Sequence, residues 1–127
     1  MPGSPLQRAE RPMTQLLDQT LIEEIRRIER ATGKNDVLSG FVSRLEGHLA
    51  GFGAAFSEHV ARGDSKGAVR AAHTLKGTCR QLGAVALGEL FAEVEASAKA
   101  GDFDEAKRKF EAGSSLVAES LEALKRA

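Results

Sequence analysis

The sequence has little of three features that mark common classes of protein. Cys79 is its single cysteine, which excludes an intrachain disulfide and a zinc site built from several cysteines. No stretch approaches the roughly 18 consecutive apolar residues of a membrane-spanning helix, and the first residues lack the apolar core of a secretory signal. Basic and acidic residues balance at 18 each, so net charge does not favour nucleic acid or an anionic membrane as a partner. We therefore expect a cytoplasmic protein without a membrane or nucleic-acid partner.

The length of 127 residues suits one domain. Residues 1–13 mix proline, glycine and charge without an apolar period, which predicts a disordered tail, and residues 14–127 form the predicted domain. Glycines at positions 33, 63, 83 and 101 mark breaks that divide the domain into five segments. None of these segments shows the period-two alternation of a strand.

Apolar residues recur at intervals of three and four in every segment, which predicts an all-α protein. Thr20 with Glu23, Asn35 or Asp36, Asp64 or Ser65, and Asp102 with Glu105 are the predicted caps. The predicted core is Leu21, Ile25 and Ile28; Leu38, Phe41, Leu45, Leu49, Phe52, Phe56 and Val60; Ala68, Ala72, Leu75, Cys79 and Leu82; Leu87, Leu90, Phe91, Val94 and Ala98; and Phe103, Ala106, Phe110, Val117, Leu121 and Leu124. Short connections favour antiparallel neighbours, so we expect an up-down four-helix bundle with an additional short N-terminal helix.

One histidine stands out by its position in the third segment. His73 follows the predicted core residue Ala72 and precedes Leu75 by two, which places the imidazole on the flank of the apolar stripe, facing solvent. Arg70, Lys76 and Arg80 lie three before, three after and seven after the histidine, so cations line the same side of the helix.

Gly77 lies one turn beyond His73, where a side chain would otherwise stand beside the ring. A glycine inside a helix costs about 1 kcal/mol against alanine, and access for a reacting group is one physical reason to carry it. Histidine has an ordinary pKa of about 6.5, so an exposed ring is mostly neutral near pH 7 and presents a nucleophilic nitrogen that can accept a phosphoryl group. Neither a glycine-rich phosphate loop nor an acidic magnesium cluster accompanies it, so ATP and metal must come from a partner.

These residues resemble the histidine-containing phosphotransfer (HPt) domains of two-component phosphorelays. The stretch AAHTLKGTCRQLGAVAL, residues 71 to 87, is similar to the family signature at His73, Lys76, Gly77, Leu82, Gly83 and Ala84, and the looser resemblance covers residues 16 to 126. It implies a phosphocarrier without autokinase activity that bears the phosphoryl group on His73. It also implies that Lys76 stabilises the group and that a polar residue in the place of Gln81 hydrogen-bonds nearby.

The resemblance further implies receiver domains of response regulators and a hybrid histidine kinase as partners. It implies no cofactor on this chain, with Mg²⁺ expected on the partner receiver. Nothing in the sequence resembles a dimerisation seam, so a monomer is expected. Two other functions stay open: the phosphorylatable substrate domain of a chemotaxis-type kinase, and a non-catalytic adaptor in which His73 is vestigial.

The remaining reactive side chains have simpler interpretations. His48 and His59 share a helix face, but three turns separate them by roughly 16 Å, too far for one metal ion. Cys79 is interpreted as a core residue. The run of Lys107, Arg108 and Lys109 is interpreted as a solvated surface. We therefore expect no metal site.

Overall fold

The computed structural model describes residues 16–127, and this part of the chain is helical without strands. It contains six helices: α1 (Gln19–Thr32), α2 (Val37–Ala61), α3 (Ser65–Gln81), α4 (Val85–Lys99), α5 (Phe103–Ala112) and α6 (Ser114–Arg126). The predicted all-α class is confirmed. The tail predicted for residues 1–13 lies outside the described residues. None of the described helices is both long and apolar enough to cross a bilayer.

The helices break at the glycines that the sequence marked. Gly83, between α3 and α4, shows why the residue is needed there. Its φ of 83° is left-handed, and a Cβ atom at this position would lie 3.2 Å from the carbonyl oxygen of Asp18. The Asp18 N–H donates to the Gly83 carbonyl at 2.7 Å, so the start of α1 rests on this turn.

The aspartates expected to cap helices do so at two of the predicted places. Asp64 accepts from the Gly67 N–H at 2.9 Å and Asp102 from the Glu105 N–H at 3.1 Å. At α1 the predicted cap, Thr20, was wrong. The N-cap residue is Asp18, whose carboxylate accepts from the Thr20 N–H at 3.0 Å.

At α2 the N-cap residue Asp36 makes no side-chain capping bond. The carboxylate of Glu29, on α1, takes that role and accepts from the Leu38 N–H at 3.0 Å. Arg26 donates to Glu29 at 2.7 Å and also to the carbonyl oxygen of Ala127. One buried carboxylate therefore ties α1 to α2, and its arginine partner ties α1 to the end of α6.

Side-chain pairs show that α3 and α4 run in opposite directions and join other helices to one another. His73 of α3 contacts Glu95 of α4, and Arg80 of α3 lies over Gly88 of α4. Residue numbers therefore increase along α3 as they decrease along α4, so the two helices are antiparallel. Lys109 of α5 donates to Ser97 of α4 at 2.9 Å. Helix α2 packs on α3, and its Glu46 pairs with Lys125 of α6 at 3.1 Å.

The fifth predicted segment is two helices rather than one, because the chain breaks at Gly113 between α5 and α6. A Cβ atom on Gly113 would stand 2.6 Å from Cδ2 of Leu90 on α4. The glycine lets this junction lie directly against α4. Spacing alone did not show the break, because the apolar period continues across it.

The predicted stripes of α3 and α4 are buried at every position, whereas two positions on α1 and α2 are corrected. Phe41 is 40% exposed and Val42 lies in the core instead. Both fit between Leu38 and Leu45 at helical spacing, and the Arg44 guanidinium stands 5.0 Å from the Phe41 ring centroid on the surface. On α1, Ile28 is exposed and Ile22 is buried, so the stripe lies on a slightly different face.

Aromatic rings join the helices at the centre of the fold. Phe52 of α2 packs on Phe91 of α4 and on Phe110 of α5, with ring centroids 5.2 Å and 4.8 Å apart. This cluster holds α4 against α2 and α5, and it fixes the position of the face of α4 that meets α3.

Candidate functional site

His73 lies in the middle of α3 with its side chain 64% exposed, as the phase of the helix predicted. Ala72 and Leu75 beside it are buried, so the backbone under the imidazole is anchored while the ring faces outward. The arrangement gives a reactive side chain on a rigid support.

The nearest partner of the imidazole is Glu95 on α4, which the sequence reasoning missed. Nδ1 of His73 lies 2.9 Å from Oε2 of Glu95, whose side chain is only 4% exposed. A signal was present, because Glu95 falls four residues after Phe91 and three before Ala98, on the buried stripe of α4. A carboxylate at a core position requires partners.

Two lysines complete the surroundings of Glu95. Lys76 Nζ lies 2.6 Å from Oε1, and Lys99 Nζ lies 3.3 Å from Oε2. Burial acts to raise the pKa of Glu95, but hydrogen bonds from Lys76, His73 and Lys99 together outweigh it and lower the pKa from 4.5 to about 2. Glu95 is therefore ionised at neutral pH and accepts a hydrogen bond from the ring.

The carboxylate selects one form of the neutral imidazole. An ionised carboxylate only accepts hydrogen bonds, so the ring proton belongs on Nδ1 when it faces Glu95. The lone pair then lies on Nε2, the other ring nitrogen. Glu95 thus makes Nε2 the nucleophilic atom of His73.

Gly77 leaves the surroundings of the ring open. A Cβ atom built on it would meet nothing within 4 Å outside its own helix backbone. The expected space one turn beyond His73 is present, and no neighbouring helix fills it.

Of the other predicted site residues, Arg70 shares a groove with His73, whereas Arg80 and Gln81 lie further along α3. Arg70 lines a groove on each side of His73. Arg80 extends over Gly88 of α4, where an added Cβ would lie 2.9 Å from the Arg80 Cγ. Gln81 lines a separate surface groove with Phe41 and other residues. The structure therefore brings Lys76 to the carboxylate that faces the imidazole, leaves open space at Gly77, and places Arg80 and Gln81 about two turns from His73.

Two grooves run on either side of α3 near the histidine. The α2/α3 groove has a volume of about 420 Å³ and is lined by residues that include Gly47, Gly51, Ala55, Arg70 and Thr74. The α3/α4 groove has a volume of about 650 Å³, and His73 and Glu95 are among its lining residues. Lys66, Arg70 and Lys99 also line it, so it is the more basic of the two. Gly53 of α2 does not face the α2/α3 groove, because a Cβ atom on it would lie 3.5 Å from the Phe110 ring.

The other histidines and the cysteine occupy different surroundings. His59 Nδ1 lies 3.0 Å from Oδ2 of Asp64, the cap of α3, and His48 lines the same α2/α3 groove. Cys79 is fully buried, and burial raises the pKa of its thiol to about 12, which fits the core role. Within residues 16–127 no three histidine, cysteine or acidic side chains are grouped closely enough to hold a metal ion.

The fold and the site define a class: helical proteins that present one histidine on a helix face, braced by a buried carboxylate and flanked by cations. The family model described as Hpt domain matches residues 36–127, from the start of α2 through α6. The chain belongs to the Hpt domain family. Comparisons with curated proteins and with solved structures gave no significant match.

Hpt domains are phosphocarriers without kinase activity of their own, and they act in histidine phosphotransfer within phosphorelays. They interact there with receiver domains and kinases.

Proposed function

We propose that His73 accepts a phosphoryl group on Nε2 from the phosphoaspartate of one receiver domain and passes it to the aspartate of another. The observation that supports this most directly is the contact between Nδ1 and the buried carboxylate of Glu95, on a ring that is otherwise exposed. It leaves Nε2 as the atom with a free lone pair. An upstream hybrid histidine kinase would load the first receiver.

The transfer step follows from this geometry. The Nε2 lone pair attacks phosphorus, the bond from phosphorus to the aspartyl oxygen breaks, and the aspartate leaves as a carboxylate. The ring carries a positive charge as the new bond forms. Glu95, hydrogen-bonded to the Nδ1 proton, offsets that charge without taking the proton away. Transfer to the second receiver is the same step in reverse.

Mg²⁺ belongs on the receiver in this proposal, where it would offset charge on the aspartyl and phosphoryl oxygens. This chain supplies the nucleophile, the carboxylate that orients it and the nearby lysines. Its contribution is positioning and charge, which are the main requirements of phosphoryl transfer.

The α2/α3 groove is the proposed docking surface for a helix of the receiver. Its lining includes Thr74, the residue after His73, and small residues of α2 and α3 such as Gly51, Ala55 and Ala71. Small residues allow a partner helix to approach closely. We further propose that α2, α3, α4 and the α5–α6 pair form an up-down four-helix bundle, with α1 as the additional N-terminal helix. The antiparallel pairing of α3 with α4 and the contacts of α5 with α4 and of α6 with α2 support this arrangement.

Labelling experiments test the proposal. The purified protein is incubated with radiolabelled ATP and Mg²⁺ alone, and separately with each member of a panel of phosphorylated receiver domains. We expect label only with a cognate receiver, and we expect it to be acid-labile and alkali-stable, as a phosphorus–nitrogen bond requires. Label from ATP alone, after rigorous removal of other kinases, would contradict a carrier without kinase activity.

The role of Glu95 is tested with Glu95→Gln, which keeps the shape and removes the charge. We expect transfer to slow by at least about tenfold, because the positive charge on the ring loses its partner. The ¹⁵N signals of the His73 ring, recorded about two units above the ordinary histidine pKa, should show more of the form protonated on Nε2. Unchanged ¹⁵N signals and an unchanged transfer rate would refute the role.

A further inference from the structure

The two lysines at Glu95 are held in different ways. Lys76 Nζ is 2.6 Å from Oε1 and its side chain is 21% exposed. Lys99 Nζ is 3.3 Å from Oε2 and its side chain is 62% exposed. Oε2 also faces Nδ1 of His73, so Lys99 and His73 share one oxygen of Glu95. Of these three groups, Lys76 is the one that contacts Oε1. Lys76 is the more tightly bound of the two cations.

The three charged side chains in contact here, Glu95, Lys76 and Lys99, carry one positive charge in surplus before phosphorylation. Glu95 contributes one negative charge, Lys76 and Lys99 contribute two positive charges, and a neutral His73 contributes none. A phosphoryl group brings a charge of about −1.5 to −2. One lysine is therefore available to it, while the other remains with the carboxylate.

The cost of moving each lysine differs. Withdrawing Lys76 would leave Oε1 of a buried carboxylate without its short ion pair, which is strongly unfavourable. Withdrawing Lys99 would leave Oε2 still bonded to His73, and most of the Lys99 side chain is already exposed. Lys99 Nζ and His73 Nδ1 both contact Oε2 of Glu95, at 3.3 Å and 2.9 Å, so these two nitrogens are at most about 6.2 Å apart. The flexible side chain of Lys99 permits its ammonium to shift toward the other side of the ring.

We propose that Lys99 is the cation that binds the phosphoryl oxygens on His73, and that Lys76 is a positioning residue that holds Glu95 and, through it, the ring. This assigns Lys76 a role different from the one implied by the family resemblance, and it rests on the proposed function of His73. On phosphorylation, the Lys99 ammonium leaves Oε2 of Glu95 and bonds the phosphoryl oxygens, and no covalent bond changes in that exchange.

The test compares Lys99→Ala and Lys76→Ala with wild type and with Lys66→Ala, a control that removes the same charge from the same groove. Lys99→Arg is the conservative variant. Each protein is phosphorylated both by a cognate receiver and by phosphoramidate, a small donor that needs no docking surface. The measurements are the transfer rate at saturating receiver, the equilibrium share of label on His73, and NMR of the ring nitrogens and the phosphorus.

We expect Lys99→Ala to slow transfer at saturation by about tenfold, to lower the equilibrium share of label on His73, and to leave the ¹⁵N signals of the unphosphorylated ring unchanged. The ³¹P titration midpoint of the phosphoryl group should rise, because a nearby cation favours its more negative form. Lys99→Arg should restore the rate. Lys76→Ala should shift the ¹⁵N signals, and Lys66→Ala should change none of these readouts at saturation. The charged groups nearest the ring are Lys76 on α3 and Glu95 and Lys99 on α4. Arg70 and Lys66 line the same groove about one and two turns before His73.

The opposite pattern would overturn the inference: Lys99→Ala behaves as wild type, while Lys76→Ala raises the ³¹P midpoint and leaves the ring ¹⁵N signals in place. That pattern would still include label on wild-type His73, so the proposed function would stand. If neither a receiver nor phosphoramidate labels the wild-type protein at His73, the proposed function fails and this inference fails with it.

Discussion

Replacing Gly77 with glutamine should separate stability from transfer. Gly77 lies inside α3, and an added Cβ atom meets nothing within 4 Å, so the new side chain enters open space. Removing an interior helix glycine should then stabilise the fold by about 0.5–1 kcal/mol. For a domain of this size, that corresponds to a rise in Tm of roughly 2–5 °C. Under the proposed function, the receiver's aspartyl phosphate approaches His73 one turn from this new side chain, so transfer should fall steeply.

The matched control is Gly40→Gln in α2, where an added Cβ also meets nothing within 4 Å. Gly40 lies near the start of α2, and its neighbour Phe41 lines a groove with Gln81 that does not include His73, so this variant should gain stability without losing transfer. Thermal melts and transfer from a phosphorylated receiver are measured on both variants. Wild-type transfer by Gly77→Gln would show that Gly77 is not required for access. A lower Tm would show that a neighbouring group occupies the space beside Gly77, which would contradict the open space described here.

Other predictions concern stability. Ser120→Ala should raise the free energy of unfolding by about 1 kcal/mol in denaturant titrations, because the buried hydroxyl has no hydrogen-bond partner among the described residues. Gly83→Ala should lower it by about 1–3 kcal/mol, because alanine is strained at φ 83°; an unchanged midpoint would contradict this. The pKa of Glu29 is lowered first by the hydrogen bond from the Leu38 N–H and then by Arg26. The ionised Glu29 therefore stabilises the fold fully above about pH 4.5, and this stabilisation is lost as the pH falls further. Glu29→Gln should therefore lower Tm at neutral pH and have less effect in acid.

Helical periodicity predicted the buried residues correctly where only one set of apolar positions fits the helical spacing. In α3 and α4 a single set of apolar residues fits the spacing, and that set is buried. In α2 the pattern admitted both Phe41 and Val42 between Leu38 and Leu45, and the larger residue was the wrong choice. Only the packing of neighbouring helices distinguishes the two positions. The apolar pattern therefore predicts where the helices lie in the sequence better than it predicts which face of each helix is buried.

The site was predictable in one helix and not in the next. His73, Lys76 and Gly77 lie on one segment, where fixed spacing sets their relative positions. Glu95, with Lys99 paired to it on the same helix, reaches the imidazole only because α4 packs antiparallel to α3 at a particular register. Nothing in the sequence of either helix states that register. A buried position occupied by glutamate was the available signal, and it identifies a carboxylate in need of partners without naming them.

The central claim is that His73 carries the phosphoryl group, and His59 provides an unusually close control. Its Nδ1 also faces a carboxylate, that of Asp64 at 3.0 Å. An imidazole paired with a carboxylate is therefore not unique to His73. What His73 has in addition is its greater exposure, the open space at Gly77 and the lysines at Glu95.

The decisive measurement is transfer of label from a cognate phosphorylated receiver to His73→Gln, His59→Gln, His48→Gln and wild type. We predict that His73→Gln alone takes up no label, while its helical content and Tm stay close to wild type, because an exposed side chain makes few packing contacts. Label that persists on a folded His73→Gln, or that disappears in His59→Gln or His48→Gln instead, would contradict the account.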